Sequence, residues 1–296
     1  MSQERKALDG TAFGMMLLLA MTWGLQQVPI KLTAPEVSLL MQGGIRSIVA
    51  TLLLLAWARW QGLALLGRDG TLLAGLAAGT LFALEFVFIY FGLGHTAASR
   101  MSVFVYLAPV FAAVGLHLFV PGERLSGLQW LGVLLAFAGV ALAFAEGFRA
   151  AAGDTLLGDA CGLTAALLWA GTTVVIRATR LARASATKVL FYQIGLAAVV
   201  LPVASWAIGE AGVVSLSPFA LASLAYQSIL VGFVSLLAWF WLLRRYLAAR
   251  LGVLSFMTPM FGVLAGVVFL AEPLTAYFTG GALLVGGGIV LVNLRR

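Results

Sequence analysis

Apolar runs of 20 or more residues, separated by short polar or Pro/Gly segments, fill this chain from near its start to its end. A helix crossing a hydrocarbon core of about 30 Å needs about 20 apolar residues. Ten runs meet that length: residues 11–30, 36–58, 70–92, 98–120, 126–145, 156–177, 188–208, 218–242, 250–271 and 275–294. The first is full length and is followed, after Pro35, by a second run, which is unlike a cleavable leader and predicts that helix 1 is retained.

Composition changes the picture only by excluding alternatives. Of 296 residues, 62% are hydrophobic and 10% charged, against about 25% charged in soluble domains. A soluble enzyme or a nucleic-acid module of this size could not cover its surface. The single cysteine, Cys161, has no intrachain partner and reads as an apolar filler.

The net charge of +7 reads as topology rather than as an acidic partner. With the N-terminus inside, fourteen Lys and Arg fall in inner segments and three, Lys31, Arg100 and Arg149, in outer ones, while Arg46 lies inside a span. Cytoplasmic loops retain such residues, so both termini are expected in the cytoplasm of a cell whose inner (plasma) membrane holds the chain.

The two halves repeat. Ala98, Arg100, Val103, Pro109, Phe111 and Phe119 recur 150 positions later as Ala248, Arg250, Val253, Pro259, Phe261 and Phe269. After a one-residue gap, Glu123, Leu125, Gly132 and Gly139 recur as Glu272, Leu274, Gly281 and Gly288, and Trp23 aligns with Trp169. Each half holds five spans, an odd number, so the second enters the membrane with opposite polarity. The expected fold is therefore an all-α membrane protein of ten transmembrane helices in two inverted five-helix repeats, residues 1–148 and 149–296, the arrangement that underlies alternating access in many carriers.

The segment His95 to Val140 combines a small-residue opening, Pro109-Val110-Phe111, Gly122-Glu123-Arg124-Leu125, Gln129 and a Gly-rich helix. It resembles the signature of the EamA-type drug/metabolite transporters, and the second half is similar, with Ala271-Glu272-Pro273-Leu274 at its edge. The resemblance covers nearly the whole chain. It implies an exporter of small metabolites whose cavity is formed mainly by the first four helices of each repeat. The fifth helices are implied to be peripheral, often mediating dimer contacts. The most similar branch looks like the bacterial amino-acid and aromatic-metabolite exporters.

Pro109 and Pro259 each remove a helical backbone bond and read as hinges. Glu123 and Glu272 sit between spans, where a carboxylate caps a helix N-terminus. The glycines permit close helix approach.

Ionisable groups inside lipid spans are costly and functional by default. Three are expected there: Arg46, Glu85 and His117. Arg46 and Glu85 differ in depth by roughly 6 Å at about 1.5 Å per residue, so an ion pair or shared hydrogen-bond network facing the cavity is expected of them, with a purely structural pair as the alternative. His117 falls close to a membrane interface. Trp23 and Gln27 share one helix face, as do Gln42 and Arg46. With Tyr106, Trp169, Gln227 and Trp239 they form a stripe that lipid cannot satisfy. The candidate substrate-binding set is Trp23, Gln27, Arg46, Glu85, Tyr106, Trp169, Gln227 and Trp239, suited to a solute that is apolar or aromatic with a small polar head.

No His or Cys spacing suggests a metal, and no phosphate loop suggests ATP. The expectation is a carrier without cofactor, monomeric or homodimeric, embedded in the lipid bilayer and exporting a small-molecule substrate from the cytoplasm, with proton coupling and facilitated exchange as the two alternatives for its driving force. An exporter of lipophilic cationic drugs is the alternative within transport, and a channel or membrane enzyme the alternative outside it.

Overall fold

The computed structural model describes residues 9–65, 69–120, 124–149, 153–246, 254–255 and 257–293. Among them the only extended pairing is an isolated bridge between Val37 and Val213. The helices are α1 (Gly10–Leu25), α2 (Gln27–Thr33), α3 (Leu39–Trp60), α4 (Leu72–Leu93), α5 (Ala98–Val105), α6 (Ala108–Phe119), α7 (Gly127–Arg149), α8 (Gly153–Ala178), α9 (Ala186–Ala207), α10 (Pro218–Ala225), α11 (Ser235–Arg245), α12 (Met257–Leu270) and α13 (Ala276–Asn293). A 3-10 turn, Arg180–Arg183, precedes α9, and a π-helical stretch, Tyr226–Val234, joins α10 to α11.

Among the described residues, and taken through their interruptions, seven helices are long and apolar enough to cross a membrane, and the apolar stretches Gly127–Ala143, Met257–Leu270 and Ala276–Val292 are shorter. The expected span at 250–271 is only partly covered, because 250–253 and Phe256 lie outside the described residues.

Prolines set where helices break. A proline ring clashes with the carbonyl four residues earlier. Four residues before Pro29 is Leu25, where α1 ends; four before Pro109 is Val105, where α5 ends; four before Pro259 is Ser255, just ahead of α12. The break at Gln26 was not expected, since 11–30 reads as one uninterrupted run. Pro202 is tolerated inside α9, packed where Gly44 of α3 leaves room for its ring.

The bundle is built largely from pairings between the two halves. α7 packs along α13, α4 along α8 and α9, α3 along α9, and α12 against α1 and α5. The α7–α13 pair runs antiparallel: Gly132 lies against the Gly288 carbonyl, and Gly139 against the Gly281 carbonyl. These glycines align with one another in the repeat, so each contact is the mirror of the other.

Charged side chains tie one end of the bundle together. Glu272 accepts from the N–H groups of Ala98 (2.7 Å) and Ser99 (2.9 Å), capping α5. It caps a helix, as expected, but one in the other half rather than its own successor. Glu123 lies outside the described residues. Lys31 donates to the Thr96 carbonyl (2.5 Å) and lies 3.9 Å from Glu272. Glu210 accepts from the N–H groups of Leu40 and Met41 and from Ser205. Glu36 holds Ser217 through its N–H (2.7 Å) and hydroxyl (2.7 Å), and these bonds keep the Glu36 carboxyl below its ordinary range.

The strongest tie went unread in the sequence. Arg100 and Asp159, both buried, form a forked ion pair, with Arg100 Nε 3.0 Å and 3.1 Å from the two Asp159 oxygens. Thr96 donates to Asp159 (2.7 Å), and Arg100 also donates to the Ala143 carbonyl (3.0 Å). The expectation that Arg46, Glu85 and His117 are the ionisable residues inside the spans is thus corrected: Arg100, Asp159 and Lys188 are helical and buried too. Losing one partner of such a pair costs about 3–5 kcal/mol, because the other charge stays buried. His117 accepts at Nδ1 from the Leu125 N–H (3.0 Å), tying α6 to the residues just ahead of α7.

Candidate functional site

Two polar groupings hold most of the expected site, and α4 carries a part of both. The first joins α3, α4 and the π-helical stretch. Gln227, wholly buried, donates from Nε2 to Gln42 Oε1 (2.9 Å) and Ser223 Oγ (3.1 Å), and its Oε1 accepts from the Tyr90 hydroxyl (3.3 Å). Gln42 in turn donates to the carbonyls of Ile30 (3.0 Å), within α2, and Val37 (2.8 Å), beyond it. Each amide is thus oriented by its neighbours. π-helical turns are rare and often found at functional sites; here one carries Gln227 into the network.

Arg46 meets this network at its edge. It donates to the Tyr90 hydroxyl at 3.5 Å, and its guanidinium lies 4.5 Å from the centre of the Phe86 ring, a cation–π distance. Its stem passes Gly232, where the missing side chain gives it space. The expected ion pair with Glu85 is not formed among the described residues. The reason is packing: α3 pairs with α9 and the π-helical stretch and meets α4 only over a short patch, so Arg46 is turned toward the aromatic face of α4.

The second grouping joins α4, the α5–α6 break and α12. Glu85 is buried, and its Oε2 has no hydrogen-bond partner. Thr258 Oγ1 is likewise buried and unbonded. Thr258 and Glu85 lie near the Tyr106 hydroxyl. Tyr106 sits in the break made by Pro109 and stacks edge-on against Trp169 of α8, centroids 6.0 Å apart.

Trp23 and Trp239 form a third, more apolar contact. Their rings meet edge-on at 5.9 Å, and Trp23 Nε1 donates to Ser235 Oγ (2.9 Å). Gln27 is buried beyond the α1–α2 break; its Oε1 and that of Gln26 have no partner. Buried polar atoms are nearly always bonded, so unbonded ones in an apolar bundle mark places where water or a solute supplies the missing group. Groups of His, Cys, Asp or Glu placed to hold a metal ion are absent among the described residues.

The EamA-like transporter model matches this sequence twice, over residues 11–145 and 156–294. The chain belongs to the EamA-like transporter family. It is similar to an uncharacterized transporter of Archaeoglobus fulgidus, 27% identical with 95% of this chain and 97% of that protein covered. It is also similar to a probable amino-acid metabolite efflux pump of Escherichia coli (strain K12), 26% identical with 93% and 92% covered. A crystal structure 20% identical in sequence superposes with a TM-score of 0.65, covering 95% of this chain and 97% of the other, which shows the shared fold.

As an EamA-like chain with this series of apolar helices, the protein is an integral membrane protein, and its family and relatives point to a transporter rather than an enzyme. Within that EamA-like frame, the eight residues singled out from the sequence fall into the three groupings above, except Gln27, which stands at the helix break. Sequence reasoning passed over Tyr90 and Thr258. Tyr90 is one turn from Phe86 on α4 and lies against Gly43 of α3, a juxtaposition that helical spacing alone does not show. Thr258 stands beside Pro259, where the helix starts anew, and that neighbour was the available signal.

Proposed function

We propose that this EamA-like protein exports small metabolites, amino acids with aromatic or hydrophobic side chains among them, by alternating access. The observation that carries the reading is the set of unbonded polar atoms buried within an apolar bundle and contributed by both halves: Gln26, Gln27, Thr33 and Glu85 from the first, Ser228 and Thr258 from the second. A solute between the halves completes their hydrogen bonding. The Glu85 carboxylate suits an ammonium group, Arg46 a carboxylate, and Tyr106 and Trp169 an apolar or aromatic side chain. Trp23, Gln27, Gln227 and Trp239 line the remainder.

Ten spans in two inverted halves accord with the antiparallel α7–α13 pair and its reciprocal glycine contacts. The breaks ahead of Pro109 and Pro259 then serve as hinges within one span of each half. The Lys and Arg distribution supports cytoplasmic termini and residence in the inner membrane. The name of the Escherichia coli relative supports the amino-acid class.

A second reading is favoured by one observation: Glu85 has no ion pair with Arg46, as a carrier of lipophilic cations requires. Uptake into proteoliposomes separates the two. On the amino-acid reading, Arg46→Gln and Glu85→Gln each abolish saturable amino-acid flux in protein that remains folded. On the cation reading, Glu85→Gln abolishes flux of aromatic or viologen-like cations and Arg46→Gln spares it. Normal amino-acid transport by both variants rejects the proposed binding role, and running each assay with and without a proton gradient reports coupling.

A further inference from the structure

Outside the bundle interior, a cleft of about 550 Å³ opens between the start of α4 and the 3-10 turn after α8. Gly70, Leu73 and Ala74 form one wall, and Thr179, Arg180 and Arg183 form the other. A 3-10 helix has three residues per turn, so residues three apart project from the same side. Arg180 and Arg183 therefore share one face, while Leu181 is buried beneath them. Both arginines are exposed, and neither makes an ion pair or side-chain hydrogen bond among the described residues.

The opposite wall adds to the positive field. Leu73 and Ala74 belong to the first turn of α4, whose N–H groups lack carbonyl partners within the helix and whose dipole end is positive. Asp69, which accepts from the Thr71 N–H (3.1 Å) and hydroxyl (2.6 Å) at this end, has its charge offset by Lys188, which donates to it at 2.7 Å. At the rim the surface turns apolar: Leu72, Leu73 and Leu76 are 57%, 82% and 41% exposed. A cationic cleft bordered by exposed leucines at the edge of a membrane span fits a ligand with a phosphate at one end and hydrocarbon at the other.

We propose that this cleft holds the phosphate-ester headgroup of an anionic membrane phospholipid, with Arg180 and Arg183 as its ligands and an acyl chain lying along Leu73 and Leu76. Basic clefts between helices on the cytoplasmic side take such headgroups, and the charge distribution puts this end of the bundle there. The site rests on the membrane reading and on the proposed orientation, and not on what the protein transports.

The test uses full-length protein in zwitterionic phosphatidylcholine nanodiscs, titrated with phosphatidylglycerol while melting temperature or native mass spectra are read. Wild type is expected to bind phosphatidylglycerol with a rise in Tm. Arg180→Gln/Arg183→Gln is expected to bind about 25-fold more weakly, about fivefold for each arginine. A control of equal charge, Arg59→Gln/Arg124→Gln, keeps wild-type affinity. Inorganic phosphate and glycerol 3-phosphate distinguish the source: either one reproducing the full lipid effect overturns the lipid assignment. Equal affinity of the double variant and wild type, or equal loss in the control, overturns the site. If the double variant fails to match wild type in phosphatidylcholine alone, the single Arg183→Gln is read instead for its fivefold loss. Lipid binding that survives without any amino-acid or cation flux leaves this site standing and removes the proposed function.

Discussion

α4 and α8 meet through small residues, whereas α1 and α11 meet through tryptophans. At the first seam Gly158 of α8 is so close to α4 that an added Cβ would lie 2.7 Å from the Thr96 nitrogen and 2.9 Å from the Gly92 carbonyl oxygen. Backbones that close leave no side chain to readjust. At the second seam the edge-on Trp23–Trp239 pair and the Trp23–Ser235 hydrogen bond hold the helices together at arm's length. If the five-span halves are superposed, these two seams are counterparts: span 3 with span 6, and span 8 with span 1. Related sequences have therefore produced one contact made by backbone and one made by rotatable rings. On the alternating-access reading, the tryptophan seam is the one free to part.

The largest effect is expected at the glycine seam. Gly158→Leu forces α8 off α4, with a cost of at least about 1–3 kcal/mol from overpacking and more where backbone is the obstacle. The readout is loss of monodisperse protein and a lowered Tm in detergent. A variant as stable as wild type would show the seam to be as pliable as its counterpart. The tryptophan seam is expected to be far weaker. A double-mutant cycle on Trp23→Ala and Trp239→Ala should give a coupling of about 0.5–1.5 kcal/mol, the value of an edge-on aromatic pair, while transport rate changes more than stability. A coupling well above that range would erase the contrast.

How much of this was legible beforehand follows from what each signal encodes. Hydropathy registers position along the membrane normal, so the apolar runs end close to where the described helices end, save the run at 250–271, whose start lies outside the described residues. Rotation about each helix axis is set by packing, and for that reason Arg46 and Glu85, close in depth, were read as a pair when Arg46 is turned to Phe86. Arg100 and Asp159 were missed because each stands within a few residues of its span's end, where counting charges treats arginine as a loop residue and ignores aspartate. Pro29 carried the same message as Pro109, but without a partner in the repeat it drew no reading, and the α1–α2 break at Gln26 was lost with it.

The smallest effect concerns the anchor at the base of α4. Lys188 holds the Asp69 carboxyl below the ordinary carboxylate range through their 2.7 Å hydrogen bond. Asp69 belongs to the connection leading into α4, and Lys188 to α9. A depressed carboxylate contributes stability above its unfolded-state value, about 3.9, and loses it as pH falls through the folded-state value. Asn keeps an oxygen for Lys188 to donate to, so wild type and Asp69→Asn should differ in Tm only by a small constant amount from neutral pH down to about pH 5. Their curves should converge only in stronger acid. A difference that vanishes near pH 6 would mean that Asp69 is not held by Lys188, and that α4 is fixed by its glycine seam alone.

The stretch from Tyr226 to Val234 winds more loosely than the helices that flank it. Deleting one residue from a regular helix swings every later side chain by about 100°, which in α4 would turn Tyr90 away from Gln227. A stretch already wound with a surplus residue can absorb the same deletion by tightening, so shortened versions of this segment are the ones in which α11 stays seated at its far end.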